Sequence, residues 1–540
     1  MHSTRGPHAP TLGAAGWLLL AAAWCVTLPL RPLFDPDEGR YAEIPREMLT
    51  SGDWITPHLN GLLYFEKPPL QYWATALAYR VFGVHPWSSR LWAAGLAFLC
   101  LPLAAAWARR FCGETAALAA VTALAVSPFF VPLGHLNLLD QGFTFFLCAA
   151  VLGFAAVQTL TGGAQRRLLL LVWASAALAV LSKGIVVFVL CGATLLAYSA
   201  VTRDLRPWRR LAPQYGLPLL LLLTLPWFVL ISGRHPSFPG FFFVHEHLAR
   251  FLTTVHQRVE PWWYFLPLLL LAVLPWLSAL SRGARAAWNE PPAAEFRPRL
   301  FLGLFAACTL LFFSASGSKL APYILPLLPP LAVLAAASVR DAAAFARGAA
   351  RVGLLLVGMV VAAGLAWSAR RNSYVPHTAV LWCAAALLAA LAAVILTWGR
   401  GRAARTATLA AALGGVLAWQ CLLCAYGAIP PARSARDLAA AVGPFVGAQT
   451  RLYSVGQYRE TLSPYLGRTL QLVDFEGELQ FGLTQEPQQR MTVQQFIERW
   501  RREPGAIAFV DPRRWEALRR AGMTGEVLAA DDDTAAVRAP

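Results

Sequence analysis

Apolar runs recur along most of the chain, and thirteen of them are long enough to cross about 30 Å of hydrocarbon as helices. They lie at roughly 11–30, 88–107, 115–134, 141–160, 168–182, 184–201, 214–232, 263–280, 300–316, 321–338, 352–369, 378–398 and 407–428. The first run continues into Leu30-Arg31-Pro32-Leu33-Phe34 without a small-residue cleavage site, so it reads as a retained anchor. Three segments are too long and polar to be mere connectors: 31–87, 233–262 and 429–540. In the last, Leu452–Val455 and Ala506–Val510 read as strands, whereas Thr492–Arg502 and Arg513–Ala521 have helical spacing. The pattern predicts a mainly α, polytopic membrane domain over 1–430 and a small soluble α/β domain over 431–540.

Composition agrees. Of 540 residues, 57% are apolar and 14% charged, against about a quarter charged in soluble domains, which excludes one soluble globular domain or a disordered chain. The net charge of +17 raises nucleic-acid binding, but the placement of the arginines argues against it. Arg109, Arg110, Arg166, Arg167, Arg203, Arg206, Arg209 and Arg210 all sit in short linkers on one predicted side, where basic residues set membrane orientation. That rule places the N-terminus in the cytoplasm and, after thirteen crossings, the C-terminal domain and all three long polar segments outside. The nine cysteines lie within or at the ends of apolar runs, which predicts no disulfide framework and no zinc motif.

Chemistry therefore concentrates in the outer segments. In Phe34-Asp35-Pro36-Asp37-Glu38-Gly39-Arg40, the plain reading is a helix start with Asp35 as N-cap, Pro36 in the first turn, and Asp37 and Glu38 favoured by the helix dipole. Ionised groups this close to a membrane helix are costly and usually have a task. Only three of the 46 basic residues are lysine: Lys67, Lys183 and Lys319, all at outer membrane borders. In an arginine-dominated chain, such lysines mark places where a compact charge is needed. Asp140 opens the fourth span, and Phe243-Val244-His245-Glu246-His247 lies in the second long loop. His245 and His247 point apart on a helix, but one of them could join Glu66 around a metal. The plain alternatives are surface histidines and, for Lys319 and Tyr323, an interfacial anchor.

The ordered run Pro36-Asp37-Glu38-Gly39-Arg40-Tyr41-Ala42-Glu43-Ile44, followed by Ser51-Gly52-Asp53-Trp54-Ile55 and Tyr64-Phe65-Glu66-Lys67-Pro68, resembles the first periplasmic loop of the aminoarabinose lipid A transferases. These belong with the protein O-mannosyltransferases among membrane glycosyltransferases of the GT-C fold. The resemblance implies a bacterial inner-membrane enzyme that moves a sugar from a polyprenyl (undecaprenyl) phosphate donor to lipid A or another periplasmic acceptor. It makes Asp37 the essential carboxylate, places Glu38 and Lys67 with it in the catalytic group, and sets Lys67 near the donor phosphate. Lys319 and Tyr323 become residues that bind the donor phosphate, Glu66 and Asp140 structural or substrate-positioning residues, and Glu66 and His247 ligands for a divalent Zn or Mg ion, with no cofactor otherwise required.

Displacing polyprenyl phosphate from an anomeric carbon leaves growing negative charge that fixed cations must meet; Lys67, with Arg250 or Arg258, can supply them. A carboxylate opposite, Asp37, can take the acceptor proton or steady positive charge on the sugar. A lipid-linked sugar transporter is the competing class, but transporters favour ionisable residues at mid-membrane and repeated halves; here the charges gather at one face. A scaffold whose C-terminal domain binds a periplasmic partner has no sequence feature in its favour.

Overall fold

A computed structural model describes residues 12–253, 259–290, 296–370, 374–399, 401, 403–429, 434–475 and 477–540. The chain divides into two compact units, one formed by residues 1–29 and 92–426, the other by 30–91 and 427–540. The first long polar segment thus belongs with the C-terminal segment, a grouping that the order of residues along the chain does not suggest.

The first unit is helical. Among the described residues, ten helices are long and apolar enough to cross a membrane, and three shorter apolar helices, Glu114–Ala125, Val186–Thr202 and Ala321–Ala336, fall on the remaining predicted runs. The protein is thus a multi-pass membrane protein. Helices suit this setting because every backbone polar group is satisfied within the segment. Small residues bring the helices together: Gly283 lies against the backbone of Leu334, and Gly415 against Ala125 and Val126. Two irregular stretches matter for the chemistry, a π-helical Gly240–Ala249 and a 3₁₀ turn Ala321–Leu327 interrupted by Pro326. Irregular backbone of this kind re-aims side chains that a regular helix would point elsewhere.

In the second unit, helices Asp37–Ser51 and Leu70–Phe82 flank a hairpin of strands β1 (His58–Leu59) and β2 (Leu62–Leu63). Asn60 and Gly61 turn it with φ of 56° and 75°, the Asn-Gly combination that left-handed hairpin turns require. The remaining strands are β3 (Leu452–Val455), β4 (Gln471–Val473), β5 (Ile507–Val510), β6 (Glu526–Ala530) and β7 (Ala535–Arg538), in the order β4-β3-β5-β7-β6. β3 pairs in parallel with both β4 and β5, and β7 antiparallel with β5 and β6. Tyr453, Val455, Phe496, Trp500, Val510 and Val537 share its core. The four strands and helices predicted in this segment hold within two residues at both ends, and the helix Val493–Trp500 carries a Thr492/Gln495 capping box. The short β4, β6 and β7 were not legible as alternating runs.

Asp35 does not cap the helix after it. Pro36 occupies the cap position, and Asp35 instead accepts from the Thr461 N–H at 2.8 Å and the Thr461 hydroxyl at 2.9 Å, with Arg459 at 3.5 Å. The reason is long-range: a buried carboxylate goes where donors satisfy it. Burial raises its pKa while Arg459 opposes. Gly39 permits this approach, because a Cβ there would strike the Glu460–Thr461 backbone. Further ties are Arg46 to the Gly467 carbonyl and the paired bonds between Asn60 and Leu470.

Glu43, Arg46 and Glu47 form a buried charged cluster on the Asp37–Ser51 helix. Arg46 forks onto Glu43 at 2.5 and 2.7 Å, and Glu47 accepts from the Gly61 N–H at 3.0 Å. Burial, then the Glu43 carboxylate, pushes Glu47 up to about 8. An unfolded Glu ionises near 4.5, so the folded state holds the extra proton and stability falls as pH rises from about 4.5 to 8. Glu47→Gln mimics the protonated acid and keeps the Gly61 bond. It is expected to raise stability on the order of 3 kcal/mol above pH 8 and by little at pH 5, read as thermal unfolding against pH.

Candidate active site

The candidate residues fall into one group in each unit. In the second unit the first helical turn sets Asp37 and Arg40 three residues apart, on one face. Arg40 Nη1 donates to Asp37 Oδ1 at 2.9 Å, its Nε to Glu478 Oε1 at 2.9 Å, and Glu460 lies at 4.0 Å. Arg40 is 4% exposed while Asp37 is 43% exposed, so the buried guanidinium aims a carboxylate that solvent can reach. Burial pushes Glu460 and Glu478 above the usual carboxylate range, helped at Glu460 by the Glu478 charge and at Glu478 by the Glu66 charge, with Arg40 opposing at both. The hydroxyls of Tyr64 and Tyr72 are buried without a hydrogen-bond partner among the described residues, and burial raises both phenols. Lys67 donates to the Glu66 carbonyl at 2.9 Å and has the Glu66 carboxylate at 3.9 Å.

Glu38, next to Asp37 in sequence, is placed differently. It is 2% exposed and takes a two-pronged bond from Arg90, Nε to Oε1 at 2.7 Å and Nη2 to Oε2 at 2.8 Å, plus one from the Phe34 N–H. Consecutive residues on a helix point about 100° apart; Glu38 therefore faces inward where Asp37 faces out, and the geometry gives it the task of holding the loop.

In the first unit, Lys183 pairs with Asp140 and sits 4.2 Å over the Tyr323 ring. Arg250 donates to the Tyr323 hydroxyl at 3.1 Å and to the almost fully buried Glu246 at 2.8 Å. His247 is oriented by a 2.7 Å bond from its Nδ1 to the Phe242 carbonyl, and its ring lies against Gly184, where a side chain would collide with it. Asp140, Lys183, His247, Arg250 and Tyr323 thus converge from five elements, the π-helical stretch supplying His247 and leading directly into Arg250. Lys319 is nearly buried and gives its ammonium to the carbonyls of Ser316 at 2.7 Å and Glu260 at 3.0 Å, holding the turn ahead of Tyr323. Arg258 lies outside the described residues.

Sequence reasoning did not include Lys183, Arg40, Glu478 or Tyr64 among the site residues. Lysine rarity signalled Lys183; nothing in the sequence signalled Glu478, which lies 438 residues from its partner Arg40. The metal proposal finds no donor set, because no group of three or more His, Cys, Asp or Glu among the described residues is arranged to hold an ion. A bound metal usually needs at least three protein ligands, so no step is derived through one.

Residues 17–288 match the family model for dolichyl-phosphate-mannose-protein mannosyltransferase, and residues 438–539 that for the aminoarabinose transferase C-terminal domain. The crystal structure of ArnT from Cupriavidus metallidurans bound to undecaprenyl phosphate superimposes with a TM-score of 0.86 at 33% identity, covering 98% of this chain and 99% of that one. The chain belongs to the aminoarabinose transferase family. Its fold is accordingly GT-C. Curated members of the aminoarabinose transferase family include the undecaprenyl phosphate-alpha-4-amino-4-deoxy-L-arabinose arabinosyl transferase of Pseudomonas aeruginosa, 35% identical over 59% of this chain and 58% of its own length. A Pseudomonas fluorescens transferase of that name, numbered 2, is 33% identical over 66% and 65%. The sequence matches to these curated relatives thus span about three fifths of their length.

Proposed function

We propose that the chain is an inner-membrane glycosyltransferase that moves aminoarabinose from undecaprenyl phosphate to a lipid A phosphate on the periplasmic side, with its N-terminus cytoplasmic and its C-terminal domain periplasmic. The observation that carries this is the full-length likeness to a transferase crystallised with undecaprenyl phosphate. The accessible, arginine-aimed Asp37 and the cationic Lys67 and Arg250 support it from the chain's own residues.

In the proposed reaction an acceptor phosphate oxygen attacks the anomeric carbon, and the bond to the undecaprenyl phosphate oxygen breaks with its electron pair. A single displacement inverts the anomeric configuration. The leaving phosphate gains charge, which Lys67 neutralises better than water because it is already oriented. An acceptor phosphate is already a nucleophile, so Asp37 need only steady positive charge on the ring. Lys183 holds Asp140, while Lys319 and Glu38 keep the surrounding chain in place.

Lys67→Ala is expected to lower turnover by about 10²-fold or more, and Lys67→Arg by less, because the charge survives but its compact geometry does not. The deciding measurement is mass spectrometry of lipid A from a transferase-deleted host that makes the aminoarabinose donor and expresses this chain. Aminoarabinose on a lipid A phosphate establishes the reaction; unmodified lipid A beside folded protein in the membrane would move the search to other sugars and acceptors.

A further inference from the structure

At the face carrying the short arginine-rich linkers, the first unit holds a cavity of about 300 Å³ lined by Gln158, Thr159, Thr161, Arg206, Arg210 and Phe296, among others. It lies between the end of helix Leu139–Val157, the start of helix Gly162–Lys183 and the linker into helix Pro213–Arg234. Two arginines line it, Arg206 and Arg210, and a third, Arg110, adjoins it through Thr159. Arg210 uses Nη1 alone, on the carbonyls of Val157, Gln158 and Leu160, leaving its other nitrogens without a partner among the described residues. Arg110 reaches the Thr159 hydroxyl at 3.0 Å with one nitrogen. Arg206 forks onto Asp204 at 2.8 and 2.9 Å, which cancels the one acidic group in the lining. The cavity therefore keeps an excess of positive charge with N–H groups still to satisfy.

What adjoins it is apolar and open. The helices Gly162–Lys183 and Pro213–Arg234 pack together at this end, the Trp173 indole donating to the Leu211 carbonyl at 3.0 Å. Their outer faces expose Leu171, Leu217, Leu221 and Leu222. Arg166 lies 4.6 Å over the Tyr215 ring where the pair begins, an interfacial aromatic and cation combination. A free phosphate has use for the arginines only. A ligand that uses both features has a phosphate head and acyl chains.

We propose that this cavity is a binding site for an anionic phospholipid, phosphatidylglycerol or cardiolipin, with its phosphate between Arg110, Arg206 and Arg210 and its acyl chains along the leucine face. Basic pockets between membrane helices take such headgroups, and each arginine near the surface adds about fivefold in affinity.

The test is native mass spectrometry of the full-length protein, released from detergent after mixing with cardiolipin, phosphatidylglycerol, phosphatidylethanolamine or inorganic phosphate. The anionic lipids are expected to be retained, and the Arg110→Gln/Arg206→Gln double variant to lose about tenfold or more of that retention. Arg351→Gln, which removes an arginine from the Trp398 ring rather than from the cavity, should retain them. Thr161→Asp separates binding from folding. Thr161 is the N-cap of its helix and makes no side-chain capping bond, so aspartate should leave the thermal midpoint unchanged or higher while repelling the headgroup. Equal retention by the cavity variants, equal loss in Arg351→Gln, equal retention of phosphatidylethanolamine, or displacement of the lipid by inorganic phosphate would each overturn the assignment.

Discussion

Asp37→Asn should lower transfer by about 10²–10⁴-fold while the protein unfolds at the same temperature as the unaltered chain. Both halves follow from geometry. Asn keeps the oxygen that accepts from Arg40 Nη1 at 2.9 Å, so the first turn keeps its contact, and a side chain already 43% exposed carries little packing. What disappears is one negative charge, the only attribute that proposed catalysis asks of it. Lipid A modification measured by mass spectrometry, beside thermal unfolding of the purified variant, reads the two separately. Unchanged turnover would remove Asp37 from the reaction, and a large fall in the unfolding midpoint would make it a structural residue.

Arg90→Ala should instead destabilise the fold. Arg90 is fully buried, forks onto the Glu38 carboxylate, and donates to the Arg31 carbonyl at 3.0 Å and the Pro32 carbonyl at 2.5 Å. Removing it strands a buried charge and leaves carbonyls without donors, at a cost of about 3–5 kcal/mol, or a fall on the order of 10 °C in the midpoint. Transfer should fall with the folded fraction and return when the protein is assayed well below its new midpoint. Glu38→Gln should destabilise in the same direction. A Glu38→Gln protein of normal stability and no activity would restore Glu38 to the catalytic group that sequence reasoning assigned it.

That contrast shows why two adjacent acidic residues could not be told apart from sequence. Both suit the first turn of a helix by charge, and the dipole favours both. Which one faces the interior depends on where Arg90, fifty-two residues away, is brought by the fold. Similarly, Asp35 reads as a helix cap until Thr461 and Arg459 are placed beside it. Lys319 and Lys183 look alike as rare lysines at an outer border. One gives its ammonium to two backbone carbonyls, and the other pairs with Asp140 under a tyrosine ring.

The sequence by itself determined the membrane architecture, because crossing a bilayer demands about twenty apolar residues per helix and charges at the borders, local properties that read off the chain directly. It also singled out Asp37 and Lys67 as candidate site residues through a long ordered motif, and determined the strands at 452–455 and 507–510 through their runs of apolar residues. Only the tertiary structure decided that residues 30–91 fold with 427–540, that Glu478 completes the surroundings of Arg40, and that Arg250, just past the π-helical stretch, meets Tyr323. Pairings of this kind join residues tens to hundreds of positions apart, and they are selected by the cost of burying a charge without a partner, which no local pattern records.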